Sequence, residues 1–404
     1  GTIPVAIWPK GSFSNSSGSI NSERTDFMQQ DIPTSYAQQW NLNIQQQITP
    51  TLTLQVGYVG THTLHNVMQM NDSNFKYPNL ASGRPLWPCN AGIVTVTYPV
   101  TAGLAPAGNP STPCPLYGSY PMANLFHGRL PSQYFNSTSS YNGLQVGITK
   151  ATSHGLMFKG SYTYSKNMDT GSGSGISDPY VNALVNFIYY WDPKLRRGRS
   201  DTDMKHNLVL SYNYTLPSPS ADIARGVLKA VAGGWQTGAI LTIQSGLAFT
   251  PIIGGDGADS VGMQSTDAIS WPDYVPGCNT HNTTGDRLNY INLTCYKFPK
   301  TVTYNGGTWL RTGTANRNAT ITGPGLVNTS FSLFKNNYIP RISETTNLQF
   351  RFEAFNIFNR ANFQLPFSTA ELFNPDGTAV GGAGRLTDPT TTMRQLQFAL
   401  KLIF

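Results

Sequence analysis

Along most of this chain, apolar and polar side chains take turns on every second position. In 38–49, Trp40, Leu42, Ile44 and Ile48 alternate with Asn41, Asn43, Gln45 and Gln47. In 51–60, Leu52, Leu54, Val56 and Tyr58 alternate with Thr53, Gln55 and Gly57, and in 142–150 Leu144, Val146 and Ile148 alternate with Gln145, Gly147 and Thr149. The same rhythm runs through 155–167, 205–216, 234–246 and 346–355, and less cleanly through 329–336. It closes the chain, where Leu396, Phe398, Leu400, Leu402 and Phe404 stand against Gln395, Gln397, Ala399 and Lys401. Successive side chains of an extended backbone point to opposite faces, so period two predicts β-strands. The pattern predicts about nine strands of roughly ten residues, the length of a tilted strand that crosses a bilayer. Helical periodicity is confined to 222–233, which predicts a short helix in a connection.

The predicted connections differ in length, and the difference alternates. Residues 48–51, 151–155 and 339–346 read as short turns, with 217–232 moderate. The segments 66–139, 170–203, 254–327 and 361–391 are long and rich in Gly, Pro, Asn, Ser and Thr. A structureless loop above about 15 residues is uncommon in a compact soluble domain. Four of them on one side fit an antiparallel transmembrane β-barrel, which carries short periplasmic turns and long extracellular loops. Closure satisfies every backbone hydrogen bond without water, as hydrocarbon requires. The competing fold is a soluble β-sandwich, whose strands also alternate. Its solvent face normally carries Lys and Glu, and here the polar positions are mostly uncharged.

Composition supports the barrel. Charged residues make up 12% of the 404, against roughly 25% in ordinary soluble domains. Aromatics are also 12%, and Trp40, Tyr58, Tyr164, Tyr214 and Trp235 fall near predicted strand ends, where membrane interfaces place them. No stretch approaches the roughly 18 apolar residues of a membrane helix. The net charge of +7 raises nucleic-acid binding, but the basic residues are scattered. The exception, Lys194, Arg196, Arg197 and Arg199, reads as a solvated loop, and no nucleic-acid partner is expected. Cys89, Cys114, Cys278 and Cys295 form no CxxC pair. An even count in irregular polar segments predicts disulfides and an oxidising compartment, with four free thiols as the alternative.

Candidate chemistry is thin. His62 and His65 form an HxxH without a third ligand, and 171–175 is Gly-rich without a strand-to-helix context. The stretch 254–262 lacks the ligand spacing of a calcium loop. No nucleophile, base and orienting acid stand out together, so no enzyme, cofactor or metal is expected. Arg351 and Glu353 fall on the polar side of their strand. They would line a solute path, bind a plug, or form a salt bridge in the wall.

Residues 35–65 (SYAQQWNLNIQQQITPTLTLQVGYVGTHTLH), 141–169, 200–217, 233–251, 323–336, 348–363 and the closing RQLQFALKLIF resemble, in that order, the barrel of TonB-dependent outer-membrane receptors of the Oar-like type found in Acidobacteria. The resemblance implies an all-β fold: the C-terminal section of a transmembrane barrel over 35–404, with nine or ten strands, and 1–34 as a preceding loop or partial strand. It implies a Gram-negative type outer membrane, with lipid and lipopolysaccharide around the barrel. It implies uptake of an unidentified bulky nutrient, energised by TonB through an N-terminal plug that these residues lack. It implies that Phe404 is read by the barrel-assembly machinery. It implies that Asp201, Asp203, Lys205 and His206 enter a strand as a hydrogen-bonded rim cluster. A surface β-protein that uses its loops for adhesion, without transport, is the alternative. A secreted all-β enzyme is a weaker one.

Overall fold

The computed structural model describes residues 27–70, 79–81, 84–88, 132–171, 193–218, 231–253, 271–282, 285–311, 313–339, 342–343, 345–365, 370–374 and 377–404. Nine long strands dominate it: β1 (Tyr36–Thr49), β2 (Leu52–Met70), β3 (Ser132–Ser153), β4 (Leu156–Asp169), β5 (His206–Thr215), β6 (Trp235–Gln244), β7 (Leu326–Tyr338), β8 (Asn347–Phe355) and β9 (Gln395–Ile403). They pair in chain order, each antiparallel to the next, in one sheet. The short pieces Phe27–Met28 and Gly198–Arg199 join this sheet beside β3 and β4.

The register turns the sequence rhythm into two continuous faces. One row runs Ile44, Val56, Val146, Tyr162, Leu208, Ile243, Val327 across seven strands. The row behind it runs Gln45, Gln55, Gly147, Ser161, Val209, Thr242, Asn328. Leu42 is 65% exposed, Ile44 63%, Phe398 66% and Leu400 69%. An apolar surface this continuous has no place in water and matches hydrocarbon.

Connection lengths alternate as predicted. The β1–β2 and β3–β4 turns hold two residues each, and the second is His154–Gly155, with φ of 51° and 77°. Two successive positive φ angles are the hairpin geometry whose twist suits flanking strands, and glycine reaches it without strain. The connection expected over 66–139 is shorter than its sequence suggested, because β2 continues to Met70 and β3 begins at Ser132. These two strands exceed the length that a bilayer needs and continue past it on the long-connection side. Residues 222–230 of the expected helix lie outside the described residues.

The long connections fold together. Ala248–Phe249 pairs with Ile321–Thr322, and Ile252–Ile253 runs parallel to Glu371–Phe373. A four-stranded sheet joins Asn79–Ala81 and Arg84–Pro88 to Gly307–Arg311 and Thr301–Tyr304. Phe249, Ile252, Trp271, Ile291, Tyr296 and Leu372 are buried in one cluster. The connections therefore form a cap with its own core, seated at the end of the sheet where the long connections emerge.

Candidate functional site: a sparsely charged wall beneath a folded cap

The polar face carries few charges. Among the described residues of the nine strands, its charged side chains are Lys159, Asp169, Arg351, Glu353 and Lys401. The rest is amide, hydroxyl and glycine with occasional apolar residues. Gln55 donates to Asn43 Oδ1 at 3.2 Å, and Gln349 and Asn347 both donate to Asn336 Oδ1, at 2.7 and 2.9 Å. Gln45, Gln55, Gln145 and Ser161 are exposed on this face. Tyr141 leans over Gly143, where an added Cβ would sit 2.6 Å from the tyrosine oxygen.

Arg351 and Glu353 stand on the polar face, opposite Ala399 and Gln397 of β9. Among the described residues no ion pair joins them. Arg351 Nε donates to Gln349 Oε1 at 2.5 Å, and its guanidinium lies 5.2 Å from the centre of the Phe334 ring. On the opposite face, Lys335 reaches back to the short-turn rim. Its Nζ donates to the Gly233 carbonyl at 2.8 Å and lies 5.4 Å from the Trp235 ring centre, the pose of a lysine bringing its charge out of hydrocarbon.

Buried ion pairs fix the cap to the strand ends. Arg317 Nη1 lies 2.6 Å from Asp169 Oδ1, and Arg317 Nη2 lies 3.7 Å from Asp201 Oδ1. Asn318 Nδ2 donates to Asp201 Oδ1 at 2.5 Å. Asp203 receives Arg199 Nε at 2.6 Å and the Asn167 amide, also at 2.6 Å. Gly198 passes so close to residue 317 that an added Cβ would meet the Arg317 carbonyl oxygen at 2.4 Å. The expected solvated basic loop is corrected here. Lys194 and Arg197 are exposed, but Arg196 is fully buried, and its Nη1 donates to the Thr170 carbonyl at 3.2 Å and touches Met68 Sδ. Its alkyl stem and charge serve the interior because acceptors from β2 and from the residue that follows β4 meet it there. His206 continues the rim, with Nδ1 2.8 Å from Tyr162 Oη, and Lys205 Nζ lies 5.9 Å from the Tyr164 ring centre.

Inside the cap, Cys278 and Cys295 form a disulfide with a Cα–Cα distance of 5.4 Å. Cys89 and Cys114 lie outside the described residues, as do 172–175 and 254–262. Tyr290 Oη and His281 Nε2 both approach the Thr322 carbonyl, at 2.8 and 2.7 Å. Burial raises the Tyr290 phenol, and burial first, offset in part by a hydrogen bond with Thr320, pushes Tyr296 up to about 12. His62 lies in β2 opposite Gln38 and Ser140, and His65 Nδ1 is 3.1 Å from the Thr34 carbonyl. Among the described residues no three His, Cys, Asp or Glu side chains gather as a metal site. Phe404 follows the last strand residue and is 87% exposed.

A sheet with one lipid-compatible face and one polar face of few charges, short turns at one end and a folded cap at the other, defines an outer-membrane barrel wall. The chain belongs to the outer membrane beta barrel domain family, whose model matches residues 2–397, and it is accordingly an outer-membrane protein. Solved structures similar to it include the pyoverdine outer membrane receptor FpvA from Pseudomonas aeruginosa PAO1, at 10% identity and a TM-score of 0.33 over 91% of this chain and 29% of that one. The outer membrane transporter YddB from Escherichia coli shows 8% identity and a TM-score of 0.38, over 95% of this chain and 34% of that one. The copper transporter OprC shows 8% identity and a TM-score of 0.35, over 93% and 32%. The chain thus spans about a third of the length of these proteins. Comparison with curated proteins yields no significant sequence match.

Proposed function

We infer that this chain is the C-terminal barrel section of a TonB-dependent receptor that imports a bulky nutrient across the outer membrane. The observation that carries this reading is the direction of the two outer strands. β1 and β9 both run from the cap end to the short-turn end, and among the described residues neither pairs on its outer side. Joined directly they would meet in parallel. An all-antiparallel barrel needs an odd number of further strands between them, so the wall belongs to a barrel larger than nine strands. Closed with further strands to the about 16–22 at which barrels enclose a channel or a plugged lumen, the same wall would pass a large solute.

In this reading the plug, carried outside these residues, couples the barrel to TonB, and Arg351 and Glu353 face the plug or the solute path. Lipopolysaccharide and lipid cover the apolar face, and the assembly machinery reads the strand that ends at Phe404. The chain transports and does not catalyse.

The test is in-cell cross-linking and uptake with the complete gene product. A heat-modifiable outer-membrane species that cross-links to a TonB-type protein, and whose uptake stops when the proton-motive force is collapsed, is expected. A species that binds its ligand at the surface and neither cross-links nor transports would replace this reading with the adhesion module.

A further inference from the structure

The wall itself points to a class of solute. From Tyr36 to Tyr338 the polar face of β1–β7 carries only two charges, Lys159 and Asp169, and Asp169 is occupied by Arg317. A row above the one already traced runs Asn43, Gly57, Gln145, Thr163, Asn207, Gln244. Together the two rows present a field of amides and hydroxyls several strands wide, opened by Gly57 and Gly147. Each amide offers donors and an acceptor, and each hydroxyl offers both, so neighbouring positions can pair with a ligand group of either sense. Tyr141, lying over Gly143 on the same face, adds an aromatic ring among these amides.

Within the two rows an anion would leave water for amides and hydroxyls alone, a costly exchange, and the one fixed cation nearby, Lys159, stands a row lower on the short-turn side. Lys159 lies near the short-turn end of β4, and Lys401 near that of β9. Arg351 is engaged by Gln349 and the Phe334 ring. A peptide would bring two charged termini and several apolar side chains, whereas these two rows hold no charge and, between Asn43 and Asn328, a single apolar side chain, Val209. A solute dense in hydroxyls and free of charge exchanges its water for equivalent partners.

We propose that the solute admitted along this wall is a neutral oligosaccharide, held by Asn43, Gln45, Gln55 and Gln145 and stacked on Tyr141. This rests on the transporter reading above.

The test offers cells carrying the complete gene three labelled pools of matched size: neutral oligosaccharides from plant-polysaccharide hydrolysate, oligogalacturonides, and tryptic peptides. Uptake is measured with and without an uncoupler. Energy-dependent uptake of the neutral pool should exceed that of the uronate pool by at least about tenfold, the carboxylates lacking partners in the wall. The double variant Gln55→Leu with Gln145→Leu should reduce neutral uptake by about tenfold, a loss of a few hydrogen bonds, in protein that remains heat-modifiable. Energy-dependent preference for uronates or peptides would overturn the solute class and leave the transporter standing, and this arm does not depend on the variant folding. Unchanged neutral uptake by a folded variant would overturn the assigned residues. No energy-dependent uptake of any pool would overturn the solute class, while the transporter reading stands or falls on the cross-linking to a TonB-type protein.

Discussion

Arg317 and Asp169 form an ion pair of 2.6 Å with side chains only 2% and 6% exposed, although 148 residues separate them in the chain. Asp169 ends a wall strand and Arg317 belongs to the cap, so the contact joins two parts of the molecule that share no local sequence.

Arg317→Met leaves Asp169 buried without the cation it faces at 2.6 Å, and should cost the cap about 3–5 kcal/mol, the scale of a broken buried pair. Limited proteolysis should then cut within 313–322 while the barrel stays heat-modifiable. Adding Asp169→Leu should restore part of the protection, because it removes one orphaned charge. Equal protease resistance in wild type and Arg317→Met would show that the pair does not hold the cap.

Leu400 and Gln397 test the two faces. Leu400 pairs with Phe350 on the apolar face, and Gln397 pairs with Glu353 on the polar one. Leu400→Arg should cost about 2–4 kcal/mol in bilayer-based unfolding, and Gln397→Arg much less. Equal tolerance would count against the assignment of lipid and lumen.

The Cys278–Cys295 bond closes a loop with a sequence separation of 17. Cys278→Ser with Cys295→Ser should destabilise the cap by about 3 kcal/mol, the value for a loop of that size. Hydrogen exchange at 285–296 should rise, while exchange in β1–β9 should not. Uniform loosening of wall and cap would mean that the two unfold as one.

Alkali should act on the cap through its tyrosines. Tyr296 ionises at about 12 in the folded protein and near 10.0 when exposed, so the folded state keeps its proton over this interval and the unfolded chain does not. Cap stability is therefore whole below about pH 10 and falls as the pH climbs toward about 12. In a spectrophotometric titration of the folded protein, Tyr296→Phe should remove one late phenol. Loss of an early-titrating one would show that Tyr296 is accessible.

The wall was legible because its signal is local. In 38–49 or 395–404, each residue's face follows from its neighbours two positions away, and register needs only a turn such as His154–Gly155 to fix it. The ends of β2 and β3 were hidden because VMQM and SQYFNSTSS break the alternation where the strands leave the membrane and pack against cap residues. The cap was not legible. Its core residues, such as Phe249, Ile252 and Leu372, stand singly or in pairs within Gly- and Pro-rich stretches, so no period marks them. One signal was present and passed over. Asn305–Gly306, with φ of 47° and 76°, turns the hairpin between Thr301–Tyr304 and Gly307–Arg311, and Asn-Gly between strand-formers is a strong hairpin pattern. The burial of Arg196 had no such signal, because its partners Met68 and Thr170 lie in other strands and connections.

The strict alternation of connection lengths also sets an order in time. Every long connection must reach the outer side of the membrane, and only the short turns remain behind. A staple within one connection, such as Cys278–Cys295, is indifferent to when its neighbours arrive. The contacts of Arg317 with Asp169 and of Ile252–Ile253 with Glu371–Phe373 are not, since each joins segments from different crossings. The wall must therefore be threaded before the roof can be locked.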